Sequence, residues 1–158
     1  KSGDIVVFHQ TGETLNEPLV KRVIATGGQT VKIDFVNGIT YVDGKEIENA
    51  YADDTYIWLG GRNSNATLPA NLHYYTGSFL FYGGKYITDD GCYERQVPEG
   101  MVFVMGDNRN RSSDSRDERL GAVDERLIIG KAVLLVFPGR DSLADKRDFS
   151  RLGSLKMK

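Results

Sequence analysis

The chain has 158 residues and a formal net charge of −2, from 20 lysines and arginines against 22 aspartates and glutamates. This balance lacks the basic excess of nucleic-acid-binding proteins, so we expect no nucleic-acid partner. A hydrophobic fraction of 40% is sufficient for a buried core. One cysteine, Cys92, and two histidines provide few nitrogen and sulfur ligands, so we expect no metal and no other cofactor.

Strand-forming patterns follow one another along most of the chain. Runs rich in β-branched and aromatic residues lie at 4–8, 19–25, 30–36, 55–59, 78–82, 101–105 and 127–137. The pairs Asn37-Gly38 and Asp43-Gly44 are typical of two-residue hairpin turns. Helical periodicity is weak and confined to the last stretch. The sequence therefore predicts an all-β fold with an antiparallel β-sheet core.

The composition changes in the middle of the chain. Between 46 and 96, segments rich in tyrosine, glycine, asparagine and aspartate interrupt the apolar runs. This change predicts an inserted, loop-rich β subdomain at 46–96. The remaining core is then formed by 1–45 and 97–140, and 141–158 is predicted to be a C-terminal tail.

The segment PLVKRVIA at 18–25 places two cations in the middle of an apolar strand. Side chains alternate along a strand, so Leu19, Lys21, Val23 and Ala25 are expected on one face, with Arg22 on the other. A lysine among apolar neighbours has a lowered pKa and can act as a general base. The alternative is that both cations extend from an edge strand into water.

A strongly polar segment, GDNRNRSSDSR at 106–116, directly follows the apolar run MVFVM. Its composition is similar to that of a calcium-binding loop. However, arginines stand where alternate oxygen ligands are needed, so a calcium site is not expected. The paired glycines of ATGGQT at 25–30 lack the spacing of a phosphate-binding loop and predict a simple turn.

Several segments together resemble the bacterial type I signal peptidases. They are GDIVVF at 3–8, VKRVIATGGQTV at 20–31, YVDGKEI at 41–47 and VPEGMVFVMGDNRNRSSDSR at 97–116, followed by LGAV and IIGKAVLLVFP. These enzymes are membrane-anchored serine proteases with a Ser-Lys dyad. They remove signal peptides from exported preproteins after small residues, at the outer face of the cytoplasmic membrane. The resemblance implies this activity, signal peptides as partners, a location on the extracytoplasmic side of the cell membrane and no cofactor.

The resemblance also implies roles for individual residues. Lys21 matches the general base, and Ser112 matches a serine whose hydroxyl hydrogen-bonds the lysine amine. Three groups of residues have supporting roles: Asp107, Asn108 and Arg109 in the turn that delivers the serine; Asp114 and Arg116 as an acid–base pair behind the site; and Val7, Leu19 and Val20 as the lining of shallow substrate pockets.

The nucleophile is the main departure from the family pattern. In the family it lies in a Ser-Met-x-Pro motif well before GDIVVF, after the membrane anchor, and no such motif occurs in the 158 residues. We therefore expect a catalytic-domain fragment that is inactive alone and that self-associates through an unpaired edge. Two alternatives remain: a non-catalytic homologue that binds peptides or assists assembly, and another Ser-Lys protease such as a self-cleaving repressor.

Overall fold

The computed structural model describes residues 1–9, 18–34, 39–47, 92–107, 112–136 and 153–154. These residues form eleven β-strands and one short 3-10 helix. In chain order they are β1 Ile5–His9, β2 Pro18–Thr26, β3 Thr30–Asp34, β4 Ile39–Val42, β5 Lys45–Glu46, β6 Cys92–Gln96, β7 Met101–Met105, β8 Val123–Asp124, the 3-10 helix Glu125–Leu127, β9 Ile128–Ala132, β10 Leu134–Leu135 and β11 Gly153–Ser154.

The strands are organised in three antiparallel sheets. The first has five strands in the order β8-β7-β2-β1-β9, and the second has four in the order β5-β4-β3-β6. The third is a two-stranded ribbon of β10 and β11. The prediction of an all-β, antiparallel core is confirmed. Since β-branched and aromatic side chains fit a pleated, half-buried surface, the runs that contain them form the central strands.

The turns at Asp43-Gly44 and Gly27-Gly28 both have the predicted character. Asp43 and Gly44 have φ values of +52° and +74° and connect β4 to β5, with Val42 opposite Lys45. Positive φ at both central residues is the geometry that asparagine or aspartate followed by glycine adopts at low cost. Gly28, with φ of +84°, lies in the turn between β2 and β3.

The first sheet has an apolar cluster on each face. Between the two large sheets, Phe103 and Met105 of β7 pack with a cluster that includes Val31 and Tyr93. The opposite face of the first sheet carries Val6, Phe8, Val23, Val102, Val104 and Val123. Full burial of a side chain such as Phe103 stabilises the fold by about 1.5–3 kcal/mol. The two clusters fix the register of β2 and β7, the strands that carry or flank the polar residues.

A β-bulge in β2 changes the predicted alternation of side chains. Val23 is opposite Val104, but Ala25 is opposite Phe103, so Ile24 is an extra residue in the strand. Ile24 and Ala25 both belong to the cluster between the sheets, whereas Val23 belongs to the cluster on the other face. The prediction that Ala25 shares a face with Lys21 and Val23 is therefore wrong.

Several predictions concern residues outside the described part of the chain. They include the Asn37-Gly38 turn, the strands at 55–59 and 78–82, and most of the proposed insertion and tail. At the end of the proposed insertion, β6 pairs along its whole length with β3, from Thr30 opposite Gln96 to Asp34 opposite Cys92. We therefore propose that an insertion ends before Cys92 and that 92–96 belongs to the core.

The run at 127–137 contains β9 and β10, separated at Val133. Apolar side chains in this region are unusually exposed: Ile129, Val133, Leu134 and Val136 have exposed fractions between 58% and 72%. In the described residues, no helix has the length and apolar character needed to cross a membrane.

Candidate active site

Lys21 lies in a central strand, next to the point where β7 ends. Its cross-strand partner in β1 is Val6, and the following residue, Arg22, is opposite Met105, the last residue of β7. β2 therefore lies between β1 and β7, and Arg22 is buried, so the alternative in which both cations extend from an edge strand into water is wrong. The Lys21 side chain is half-buried, and no described carboxylate forms a salt bridge with it.

The surroundings of Lys21 favour its neutral amine. Burial lowers the pKa of Lys21 below its usual value because a buried ammonium loses hydration. The negative charge of Asp114 acts in the opposite direction, and the positive charge of Arg116 lowers the pKa further. Burial has the largest effect. A lysine in such a position can accept a proton at a lower pH than a lysine in water.

Gly106 brings Ser112 and Lys21 together. A methyl group placed on the Gly106 α carbon would lie 2.6 Å from Ser112 Cβ and 3.8 Å from Lys21 Cδ. The first distance is shorter than any normal carbon–carbon contact, so the Ser112 side chain occupies the space that any other residue at 106 would fill. The predicted proximity of Ser112 and Lys21 thus depends on a glycine at this position.

The hydrogen bond predicted between Ser112 and the Lys21 amine is not present in the structure. Ser112 Oγ is buried and has no partner of good geometry among the described residues. The hydroxyl is nevertheless close enough to Asp114 to contribute to the lowered pKa of that carboxyl group. The structure therefore places the hydroxyl near Asp114, without the predicted bond to the Lys21 amine.

Asp114 and Arg116 form the predicted ion pair behind the site. Asp114 is fully buried, and Arg116 donates from Nε to Oδ1 at 2.7 Å and from Nη2 to Oδ2 at 2.9 Å. The backbone N–H of Gly106 also donates to Asp114 Oδ2, at 2.9 Å. Burial would raise the pKa of Asp114, but the charge and hydrogen bonds of Arg116 and the Gly106 N–H outweigh burial and lower it. The pair fixes the residues that follow β7.

We expect this buried pair to make the fold sensitive to acid. Because the folded-state pKa of Asp114 is lowered, the carboxylate stabilises the fold above its unfolded pKa of about 3.9, and that contribution is lost as pH falls through the folded value. Urea unfolding of the wild type between pH 7 and pH 3 should therefore show a falling free energy. The Asp114→Asn variant should be less stable by about 3–5 kcal/mol at pH 7, because Arg116 loses its ion pair with a buried carboxylate.

The Asp114→Asn variant should also show a flatter dependence of unfolding free energy on pH. Asp124, which is paired with the exposed Arg126 and whose pKa is lowered to about 2, provides the comparison. Asp124→Asn should have a smaller effect because water screens an exposed pair. Equal pH profiles of unfolding free energy for wild type and Asp114→Asn would show that Asp114 does not cause the loss of stability in acid.

Asp107 makes a second ion pair, with Arg22, a residue that had no role in the sequence-based predictions. Arg22 donates from Nε and Nη2 to the two carboxylate oxygens of Asp107, at 2.9 and 2.8 Å, and from Nη1 to the carbonyl of Gly3 at 2.9 Å. Arg22 is only 7% exposed. Its position next to Lys21 in the sequence was the only signal available. Asn108 and Arg109, predicted in the same turn, lie outside the described residues.

The three residues predicted to line substrate pockets lie on both faces of the sheet. Leu19 and Lys21 are two residues apart in β2 and share a face, whereas Val7 and Val20 are cross-strand partners on the opposite face. Val20 is 56% exposed. An extended peptide beside β2 could contact both faces through alternate side chains, so these roles stay predictions.

The half of β2 before Lys21 has an open edge in the described structure. β1 pairs with Pro18, Leu19 and Val20, but the pairing of β7 with β2 begins at Arg22. Backbone N–H and C=O groups on that side can pair with an added strand. In the described ranges, no group of three histidine, cysteine, aspartate or glutamate side chains is arranged to hold a metal ion.

The fold and this arrangement of a half-buried lysine, a serine and a buried ion pair are those of a peptidase domain. The family model "Signal peptidase, peptidase S26" matches residues 1–137. The chain therefore belongs to the S26 family of signal peptidases.

Named relatives and a solved structure agree with this assignment. "Probable signal peptidase I-1" of Synechocystis sp. is 34% identical over 142 residues, which cover 86% of this chain and 54% of the relative. Signal peptidase I of Bacillus licheniformis is 33% identical over 138 residues, covering 87% of this chain and 60% of the relative. The chain thus spans little more than half the length of these relatives. A signal peptidase I from Enterococcus faecalis superposes with a TM-score of 0.53 at 26% identity, covering 84% of this chain and 95% of the other.

Proposed function

We propose that this chain is the catalytic domain of a serine endopeptidase that removes signal peptides from exported preproteins, with Lys21 as the general base. One observation carries the proposal: Lys21 in β2 is half-buried, its pKa is lowered, and it lies beside Gly106 and Ser112, which follow the end of β7. Partial burial of a lysine without a salt-bridged carboxylate costs stability, and ionisable groups with shifted pKa values are concentrated at functional sites.

In the proposed mechanism the neutral Lys21 amine accepts the proton of a serine hydroxyl as the serine oxygen attacks the scissile carbonyl. The tetrahedral intermediate collapses to an acyl-enzyme, and the lysine ammonium returns a proton to the departing amine. Water then attacks the ester with the same amine as base, which releases the new carboxylate and the free serine. Asp114 stays ionised and paired with Arg116 throughout. It takes no part in proton transfer and instead holds the segment that carries Ser112 in place.

We place the nucleophilic serine outside these 158 residues. The proposal rests on two supports: the Ser-Met-x-Pro motif does not occur in the sequence, and the chain spans only 54% and 60% of the two relatives compared above. The isolated 158-residue chain is then inactive, and cleavage requires the longer protein that carries the motif. The open edge of β2 next to Lys21 is the proposed position of the extended substrate.

The proposed location is the extracytoplasmic side of the cell membrane. The exposed apolar side chains of Ile129, Val133, Leu134 and Val136 support contact with a membrane, since exposed apolar patches are uncommon on a domain surrounded by water. The side of the membrane follows from the proposed action on exported preproteins. A membrane anchor would lie in the part of the longer protein that precedes this domain.

The experiment that tests the function is cleavage of a preprotein by the longer protein and by its Ser112→Ala variant. We expect cleavage after small residues by the wild type. The variant should retain activity at a rate reduced by about ten- to a hundredfold, because a polar side chain near Lys21 and Gly106 is lost while Lys21 remains as the base. Ser113→Ala is a suitable control at the neighbouring serine. Product masses measured by mass spectrometry identify the bond that is cut.

The alternative is a non-catalytic homologue that binds peptides or assists assembly. Such a protein would share the fold and the open edge of β2 and would bind a signal peptide without cutting it. Binding without any cleavage by the longer wild-type protein would favour this alternative over the peptidase.

A further inference from the structure

Ser115 makes an unusual contact with strand β7. It is fully buried, its backbone N–H donates to the carbonyl of Val104 at 3.0 Å, and its Oγ accepts the N–H of Val104 at 2.9 Å. Two residues in facing antiparallel strands exchange such a pair of hydrogen bonds through their backbones. Ser115 completes the pair with its side chain, although it does not belong to a strand.

This contact satisfies backbone groups at the edge of β7 where, among the described residues, no strand pairs with it. On that side of β7, β8 pairs only with Met101 and Val102. Two residues after Val104, just past the end of β7, the N–H of Gly106 donates to Asp114 Oδ2. Ser115 and Asp114 together hold the segment 112–116, which returns beside β7 and is called the returning segment below. They hold it as far as Gly106, which lies against Ser112.

The same contact relates the returning segment to Lys21. β7 pairs with β2 on its other side, with Val104 opposite Val23 and Met105 opposite Arg22. A shift of the segment relative to Val104 would therefore move it relative to Lys21, with only one strand between them. Asp114 and Arg116, the two charges that act on Lys21, are the immediate neighbours of Ser115 in sequence.

We propose that Ser115 is a positioning residue for Lys21: its paired hydrogen bonds to Val104 hold Asp114, Arg116 and Ser112 in place around the lysine side chain. The inference rests on the proposed function for its consequence in catalysis. The effect of Ser115 on the surroundings of Lys21 does not depend on that function, and it can be measured on the 158-residue chain.

The first test is the titration of Lys21 by NMR in chains labelled with 13C at the lysine ε carbon, with Lys21→Arg used for assignment. In Ser115→Ala we expect the Lys21 midpoint to rise towards the usual lysine value, because a loosened segment admits water to the amine. Ser115→Thr, which keeps the acceptor oxygen, should titrate close to wild type. An unchanged Lys21 midpoint in a folded Ser115→Ala chain would overturn the proposal.

A matched control separates positioning from a general loss of stability. Ser115→Ala leaves the Val104 N–H without its acceptor, so it destabilises the fold as well. Val42→Ala removes buried apolar surface from the second sheet, far along the chain from the site residues. It should lower the unfolding midpoint without shifting the Lys21 titration. If Ser115→Ala does not fold, Ser115→Cys takes its place, since sulfur is a weaker acceptor of similar size.

The second test uses cleavage by the longer protein. Ser115→Ala should lower kcat by about tenfold or more with little change in KM, and the pH dependence of kcat should move in the same direction as the Lys21 titration. Val42→Ala should keep the wild-type pH dependence. A lower kcat with an unaltered Lys21 titration would refute positioning of the lysine. If the wild type does not cleave at all, the proposed function fails, while the NMR test still decides the role of Ser115.

Discussion

Replacing Lys21 by arginine is expected to reduce preprotein cleavage by the longer protein by about 100- to 10,000-fold, the usual contribution of a general base. A guanidinium stays charged at any usable pH, so it cannot accept the serine proton. It keeps the positive charge and much of the length of the lysine, so the fold should be retained. Single-turnover cleavage at several pH values is the appropriate measurement, because it reports the acylation step directly.

Lys131→Arg is the matched control for this substitution. Lys131 is the other residue opposite Val6, on the β9 side, and its amine is paired with Asp4 at 2.6 Å. An arginine can keep that ion pair, so cleavage should be unchanged. In the wild type, the rate should rise with pH through the lowered pKa of Lys21, since the neutral amine is the active form. Near-normal cleavage by Lys21→Arg would show that another group is the base.

Replacing Gly106 by alanine is expected to have the second largest effect, a loss of cleavage of about a hundredfold or more. The added methyl group would lie 2.6 Å from Ser112 Cβ, so the serine or the backbone of the segment must move. Movement here also disturbs the N–H that Gly106 donates to Asp114. We expect kcat to fall much more than KM rises, because the segment that surrounds the base is displaced while the β2 edge is intact.

Gly130→Ala provides a control with the same chemical change. A methyl group at Gly130, in β9, would meet no atom within 4 Å. This variant should fold and cleave as the wild type does. Circular dichroism and thermal unfolding would establish that Gly106→Ala is folded. Full activity of a folded Gly106→Ala would mean that Ser112 does not need its present position.

The sequence predicted the strands well where one physical signal was dominant. β-branched runs and the Asp43-Gly44 turn gave the correct elements in the described residues, because both depend on local backbone preferences. The prediction for Ala25 was wrong because a bulge at Ile24 interrupts the alternation of β2. A bulge depends on the partner strand, and nothing in PLVKRVIA indicates it.

The candidate site also contains some features that the sequence indicated and others that depend on contacts between distant residues. The apolar neighbours indicated only that Lys21 or Arg22 could be buried, whereas the choice of Lys21 as base, Ser112 and the Asp114–Arg116 pair depended on the resemblance to a known family. The ion pair between Arg22 and Asp107 was missed because it joins residues 85 positions apart. Ser115 was also missed, since its hydrogen bonds to Val104 leave no pattern in the sequence.

The sequence by itself determined the all-β character, the family and the presence of a cation inside an apolar strand, because composition, periodicity and motif spacing are properties of the chain. The tertiary structure decided the surroundings of that cation. It placed β2 between β1 and β7, buried Lys21 enough to lower its pKa, and returned the segment after β7 so that Gly106 brings Ser112 close to the lysine. Burial and close contact depend on strands that are distant in sequence, and only the folded arrangement of those strands sets them.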